Sequence, residues 1–501
     1  MGTPGKVSFA LAISAISLGS VLGVGSLKHP ERLYVLHDEE VLGTSLELKV
    51  KTKSEETALK AERAVLAEIQ RESKILSSYD PSSEFSRWFA THGVAVPVSR
   101  ELFDNLSLFD EWRERTNGAL DASAEAVCRV WKAAAAANRM PTDAEIGAAV
   151  AAVRQQHWSL NKEAQTATHL SDTPLVLNTF VKSYIIDRAA DAALADHSVS
   201  GVVVNIGGDI VVRGHISEPV RIADPKSDAE NGQPIAALVL RDRAIATSGN
   251  YRRGVDIQGK HYSHIVDPRT GQPADRVLSA TVISPMPVQA GALATSFSVM
   301  DPEDSLRLAS SIPGVEFLLI TNDGNRVESP GWRNALATDV STGAAPAPYD
   351  PQAGLWDPAF ELEITIELAH FNTPVRRPYV AIWIDDKDHA EVRTIAVWHQ
   401  KPRYLPDLRN WYREDRGENM IASVSSATRP PGKYTVKWDG KDNHGKPVKA
   451  GPFFVNIEAA REHGTYQMMR QEIDFNGTPQ SLSLPGGTEI ASATLEYRKI
   501  Q

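Results

Sequence analysis

The sequence predicts two units of different class: a larger α+β unit first, and an antiparallel β-sandwich of immunoglobulin-like type behind it. Three observations carry this. The chain has 501 residues, several times the ~150 of a typical single domain. Helical and strand patterns alternate as far as residue 340, whereas beyond 358 nearly every segment is a short strand bounded by turn residues. Between them STGAAPAPYDPQAGLWDP replaces any hydrophobic period with Pro, Ala and Gly, the composition of a linker. The expected division is a leader at 1–26, a first domain at 30–340, the linker at 341–358 and the sandwich at 359–501.

Apolar residues make up 42% and charged residues 23% of the chain, near the globular average, which excludes disordered, collagen-like and coiled-coil classes for its bulk. Lys plus Arg number 53 against 63 Asp plus Glu, a net charge of −10, so nucleic acid is not an expected partner. Cys128 is the one cysteine. No intrachain disulfide or Cys-rich zinc site is available, and a metal would rest on oxygen or histidine. Residues 7–25, VSFALAISAISLGSVLGVG, are uncharged and follow Lys6. They read as an export signal; at 19 residues they are also long enough to stay as a membrane anchor. Either reading exports the rest of the chain, to the periplasm or the outer face of the cytoplasmic membrane.

Along the first domain, Glu55 to Ser78 carries Ala58, Ala61, Val65, Ile69 and Leu76 on one helical stripe. Residues 99–117, 122–137 and 142–155 also have helical patterns, the second opening after Asp121 and the third at Thr142 and Asp143. Val181, Ile185, Ala189 and Ala192 line one face of a helix from Val181 to Leu194. GVVVNIGGDIVVRG (201–214) is two β-branched runs joined by Gly207 and Gly208, a hairpin whose glycines accept positive φ and also leave backbone N–H groups open to a phosphate. TSGNYRRGVDIQGKHYSHIVDPRTG (247–271) is dense in polar residues, with His264 just past an alternating strand.

Eight fragments in order carry a resemblance: LGT (42–44), LSSYDPSSEFSR (76–87), NGALDAS (117–123), FVKSYIIDRAADAAL (180–194), VNIGGDI (204–210), ATSGNYRR (246–253), HYSHIVDPRTG (261–271) and GALATSF (291–297). Together the chain resembles the FAD:protein FMN transferase family, the ApbE-like flavin transferases. The resemblance implies a flavin-transferase-like fold for the first domain. It implies transfer of FMN from FAD to a Thr or Ser hydroxyl of an acceptor protein, release of AMP, and Mg2+ as cofactor. By the same resemblance His264 matches the general base, and Leu42, Tyr79, Ala119, Leu120, Asp121 and Lys182 match FAD-contacting positions. Thr179 and Ala294 match backbone metal ligands, and Thr295 a hydroxyl ligand.

The chain departs from the family's pattern at three places. Gly291 stands where members carry a metal-binding aspartate, Val176 where they carry an acidic residue, and Ser183 where they carry glycine. A Mg2+ site ordinarily uses one or two carboxylates, so these departures predict a weakened site or one completed by the nucleotide, with Asp209, Asp224 and Asp267 as the carboxylates within reach in sequence. Two alternatives follow: a catalytically weakened flavin-nucleotide binding protein, or a surface scaffold or adhesion protein acting through its sandwich.

In the sandwich, FELEITIE, YVAIWID, TIAVWHQ, KYTVKWDG, FFVNIEAA and SATLEYRK alternate at the strand period. RRPYVAIWI (376–384) and ATRPPGKY (427–434) resemble an uncharacterised periplasmic domain joined to some flavin transferases. Trp383, Trp398, Trp411 and Trp438 read as core, and Asp439, Asp442 and Asn443 as a turn rather than a calcium loop. ASVSSATRP (422–430) is similar to the acceptor motif of these enzymes but lacks its Asp and Gly, leaving Thr428 as a candidate acceptor.

Overall fold

The computed structural model describes residues 30–500 except 228, 251–252, 337–353, 372–374, 401, 414–424, 427 and 463. The leader at 1–26 and most of the linker lie outside the described residues. Among the described residues no helix is long and apolar enough to cross a membrane.

The first domain is built on eight strands: β1 (Arg32–Val41), β2 (Thr44–Thr52), β3 (Val199–Ile206), β4 (Asp209–Gly214), β5 (Ala244–Gly249), β6 (Val277–Ser284), β7 (Glu316–Thr321) and β8 (Arg326–Glu328). They lie side by side in chain order, and every neighbouring pair is antiparallel. Alternation sorts the side chains of β3: Val202, Val204 and Ile206 join one core and Val203 the other. Each such buried aliphatic side chain contributes ~1.5–3 kcal/mol. On the first face pack the helices α1 (Glu55–Leu76), α2 (Val181–Leu194) and α3 (Pro287–Phe297). The opposite face is covered by the hairpin Glu218–Ile222/Ala236–Leu240 and by Trp332.

Local chemistry sets the helix ends. Ser54 Oγ accepts from Thr57 N at 3.2 Å, and Glu55 and Glu56 sit in the first turn of α1. The sequence pattern runs to Ser78, yet the helix stops at Leu76 because Ser77 turns extended and its Oγ accepts from Tyr79 N and Asp80 N at 3.2 and 3.1 Å. Similarly, 122–137 divides into a short 3-10 turn, Ala122–Ala124, and a helix, Glu125–Ala136. Asp121 caps the 3-10 turn, its Oδ1 accepting from Ser123 N and Ser123 Oγ at 2.8 and 2.6 Å.

The second domain comprises β9 (Phe360–Leu368), β10 (Tyr379–Asp385), β11 (Glu391–Trp398), β12 (Gly432–Trp438), β13 (Gly451–Ala460), β14 (Tyr466–Phe475), β15 (Gln480–Leu484) and β16 (Ile490–Lys499). One sheet has the order β12-β9-β16-β15; the other is β11-β10-β13-β14, with Ser425–Ser426 pairing in parallel outside β11. The interior between them is aromatic: Trp356 lies 4.8 Å from both Trp438 and Phe475, centroid to centroid. Trp356, read from sequence as linker, is buried in this core. Trp383, Trp398 and Trp438 are buried on strands, and Trp411 is buried from a turn beside Leu405 and Leu408. Asp442 Oδ1 accepts from His444 N and Lys446 N at 2.8 and 2.9 Å, closing the expected turn.

The two domains meet at the edge strand β12. Glu230 N donates to Thr435 O at 2.8 Å, and the Asn231 side-chain amide both donates to Lys437 O and accepts from Lys437 N, each at 2.7 Å. A loop of the first domain thus pairs with the edge strand β12.

Candidate active site

One end of the first sheet gathers the residues singled out from sequence. The β1–β2 turn holds Leu42 and Gly43 at φ +51° and +76°, and the β3–β4 turn holds Gly207 and Gly208 at +58° and +93°. The turns are neighbours: Gly207 N donates to Ser45 O at 3.3 Å, and a Cβ on Gly207 would come within 2.8 Å of Thr44 Cγ2. Only glycine serves at 207 on both counts. β5 runs antiparallel to β4, with Ile245 opposite Ile210, so Ser248 and Gly249 leave the sheet at the same end.

Asp209 follows the Gly207–Gly208 turn, and its side chain is held from α2. Lys182 Nζ lies 3.0 Å and Ser183 Oγ 3.3 Å from Asp209 Oδ2. Burial pushes the Asp209 carboxyl above the usual range, while Lys182 and Ser183 oppose the shift. Ser183 also faces α3, where its Oγ is 2.5 Å from the position a Cβ on Gly291 would take. One turn further along α3, Thr295 Oγ1 meets Ser248 Oγ at 3.3 Å. Thr179 lies one turn before Ser183, at the entry to α2. Ala294 is fully buried and its carbonyl accepts the Ser298 hydroxyl at 3.0 Å.

Three loops are stitched together beside this cluster. Tyr79, 76% exposed, is reached by the amide of Asn178, the residue before Thr179. Leu177 N donates to Ser78 Oγ at 3.0 Å, and Val176 N to Ala122 O at 2.8 Å. Ala119, Leu120 and Asp121 are therefore tied to the entry of α2. Their side chains are buried, and Asp121 also pairs with Arg113 Nε at 2.8 Å. Asn178 and Ser248 were not singled out as site residues from sequence; an amide and a hydroxyl in polar loops carry no spacing signal.

His264 follows the hairpin strand Lys260–Ser263. Its Nδ1 is 3.0 Å from Arg253 O and donates to that carbonyl, leaving Nε2 as a lone-pair acceptor. The surrounding loop desolvates the ring and holds its pKa below the usual histidine value, with the Arg253, His261 and Lys132 charges adding and the carbonyl hydrogen bond opposing. No hydrogen bond or ion pair joins His264 to Lys182 or Asp209. The alternative carboxylates are otherwise engaged: Asp267 binds Arg269 through both oxygens at 2.9 and 2.8 Å, and Asp224 Oδ1 accepts from Lys226 N at 2.9 Å. Thr428 is buried in the second domain, and residues 422–424 and 427 of its motif lie outside the described residues.

Comparison with known proteins concerns the family and the fold. Residues 42–319 match the model of the ApbE family, and residues 361–492 match a family described as predicted periplasmic protein (DUF2271). A FAD:protein FMN transferase of Klebsiella pneumoniae (strain 342) is 28% identical over 313 residues, covering 60% of this chain and 88% of that protein. One of Vibrio cholerae serotype O1 is 32% identical over 259 residues, covering 50% and 76%. The crystal structure of the ApbE protein of Thermotoga maritima superposes with a TM-score of 0.55 at 25% identity, over 61% of this chain and all of that one. With more than half of its length matched by the family model and the fold shared with the Thermotoga protein, the chain belongs to the ApbE family.

Proposed function

We propose that the protein is an FAD:protein FMN transferase that attaches FMN to a Thr or Ser hydroxyl of an exported acceptor protein and releases AMP. The observation that carries the reading is the family match over 42–319, which spans the whole sheet end just described. The second domain's relatives are described as periplasmic, and we assign the reaction to that compartment, with residues 7–25 as signal or anchor.

The chain's own groups divide the work as follows. Tyr79 offers an exposed ring to the flavin, and Leu42 an apolar side chain beside it. Lys182 acts as a point charge on the pyrophosphate, and the segment Ala119–Asp121 frames the nucleotide. His264 Nε2 takes the proton of the acceptor hydroxyl as its oxygen attacks the FMN phosphorus. The bond from that phosphorus to the bridging oxygen breaks, AMP leaves with the oxygen, and the imidazolium returns its proton to the leaving phosphate or to water.

The oxygens of Asp209 and Ser183 beside Gly291 and of Thr295 one turn along α3 are hard donors, which fits Mg2+ and not a soft metal. Of the family positions, Thr179 and Thr295 would hold the cation; the Ala294 carbonyl is already engaged by Ser298. Bound there, Mg2+ supplies neutralisation of charge on the pyrophosphate.

Incubating the full chain with FAD, Mg2+ and a Thr-containing acceptor tests the reading. A covalent adduct with the mass of an FMN phosphoryl group, together with AMP, is expected. Bound FAD without transfer would support the weakened-binder alternative, and no flavin binding would leave the scaffold reading.

A further inference from the structure

We propose that Asp209, steered by Ser183, is the carboxylate that holds the divalent cation against the pyrophosphate in this chain. The inference rests on the flavin-transferase reading and deepens it. A Mg2+ site at a pyrophosphate ordinarily takes one or two protein carboxylates besides the phosphate oxygens, and α3 provides none, because residue 291 is glycine. The space is closed as well as empty of a carboxylate: a Cβ at 291 would lie 2.5 Å from Ser183 Oγ, 3.2 Å from Ser183 Cβ and 3.4 Å from Phe180 Cα. A side chain on α3 at 291 therefore displaces the Ser183 hydroxyl from its place against Asp209. The hydroxyl that fills the gap hydrogen-bonds to Asp209 Oδ2 at 3.3 Å.

Facing turns complete the set. Gly291 and Thr295 are four residues apart on α3 and share a helix face, while Ser183 lies in the first turn of α2 and Thr179 just ahead of its cap residue Phe180. Asp209 meets this group from the sheet; of the other two carboxylates named from sequence, Asp267 is held by Arg269 through both oxygens, and Asp224 follows the strand Glu218–Ile222 of the hairpin on the opposite face. In the structure Lys182 neutralises Asp209 at 3.0 Å. A bound pyrophosphate offers Lys182 a stronger anionic partner, and the carboxylate is then released for the cation. The family's oxygen donor is in this way moved from α3 to the sheet, with Ser183 as positioning residue.

Titration of Mn2+ into the full chain with FAD present, with free Mn2+ read by electron paramagnetic resonance, tests this. FAD affinity in EDTA is read separately by flavin fluorescence. The wild-type chain is expected to bind Mn2+, and Asp209→Asn to bind it about tenfold or more weakly while still binding FAD. Ser183→Ala, which leaves the backbone and Asp209 in place, is expected to lose severalfold. Ser183→Gly with Gly291→Asp should restore Mn2+ binding to the Asp209→Asn chain, whereas Gly291→Asp alone should not. Unchanged Mn2+ affinity in Asp209→Asn, or in Ser183→Ala if the first variant fails to fold, overturns the proposal, as does a wild type that binds FAD but no Mn2+. A wild type that binds no FAD in EDTA removes the flavin-transferase reading instead.

Discussion

His37 of β1 and His399, the residue after β11, meet edge to face across the domain boundary, ring centroids 5.0 Å apart and planes at 80°. Both are buried. His37 Nε2 lies 3.2 Å from Glu47 Oε2, while His37 Nδ1 and both ring nitrogens of His399 have no hydrogen-bond partner among the described residues. Burial holds the His399 pKa down at about 3 from 6.5, with His37 adding and Glu47 opposing.

A pH dependence of stability follows. Between pH 6.5 and about 3 the unfolded chain protonates residue 399 and the folded chain does not, so the unfolded state binds more protons. Stability contributed by the neutral ring is complete above pH 6.5 and is lost as pH falls. Calorimetry from pH 7 to pH 5 should show a falling Tm, and His399→Phe should flatten the slope. Equal slopes in both proteins would disprove the assignment.

His264 should dominate turnover. With Nδ1 fixed on Arg253 O, His264→Asn keeps a donor but removes the base, and kcat should fall about 10²- to 10⁴-fold with little change in KM for FAD. Because the ring's pKa is lowered, wild-type kcat should hold as pH drops to the ordinary histidine value and decline only below it. A decline centred above that value argues for another base.

Tyr79 should contribute binding and not chemistry. Tyr79→Ala is expected to weaken FAD by ~0.5–1.5 kcal/mol, read by fluorescence titration, and Tyr79→Phe to retain most of the affinity. If Phe is as poor as Ala, the hydroxyl's contact with Asn178 matters more than the ring.

At Gly207 two costs can be separated. Gly207→Ala meets a left-handed backbone at φ +58° and a methyl carbon of Thr44 at 2.8 Å, for ~1–3 kcal/mol in total. Adding Thr44→Ser removes that methyl and should recover the contact share in urea denaturation but not the backbone share. Full recovery would mean that the turn relaxes.

How much of this was legible in sequence depends on the range of the interaction. Local patterns sufficed for α2, whose bounds match the Val181–Leu194 stripe, and for the Gly207–Gly208 hairpin, where two glycines between β-branched runs leave one economical solution. They failed at Leu76, where a serine hydroxyl ends a periodic helix two residues early, and after Asp121, whose cap opens the Ala-rich run as a 3-10 turn. The site was legible as a set of family positions. Its wiring was not: the close approach of Ser183 and Gly291 joins residues 108 positions apart, and Asp209 could be ranked over Asp224 and Asp267 only once the surroundings of all three were visible.

The pairing of Asn231 and Glu230 with β12 bears on how the halves can be handled apart. Freed from the first domain, a fragment from residue 354 onward, which keeps Trp356 in the core, would present Thr435 and Lys437 as open docking points for a foreign strand. Light scattering should find that fragment clumping at concentrations where the intact chain stays dispersed. The safeguard against self-adhesion in one half of this polypeptide is lodged in the other.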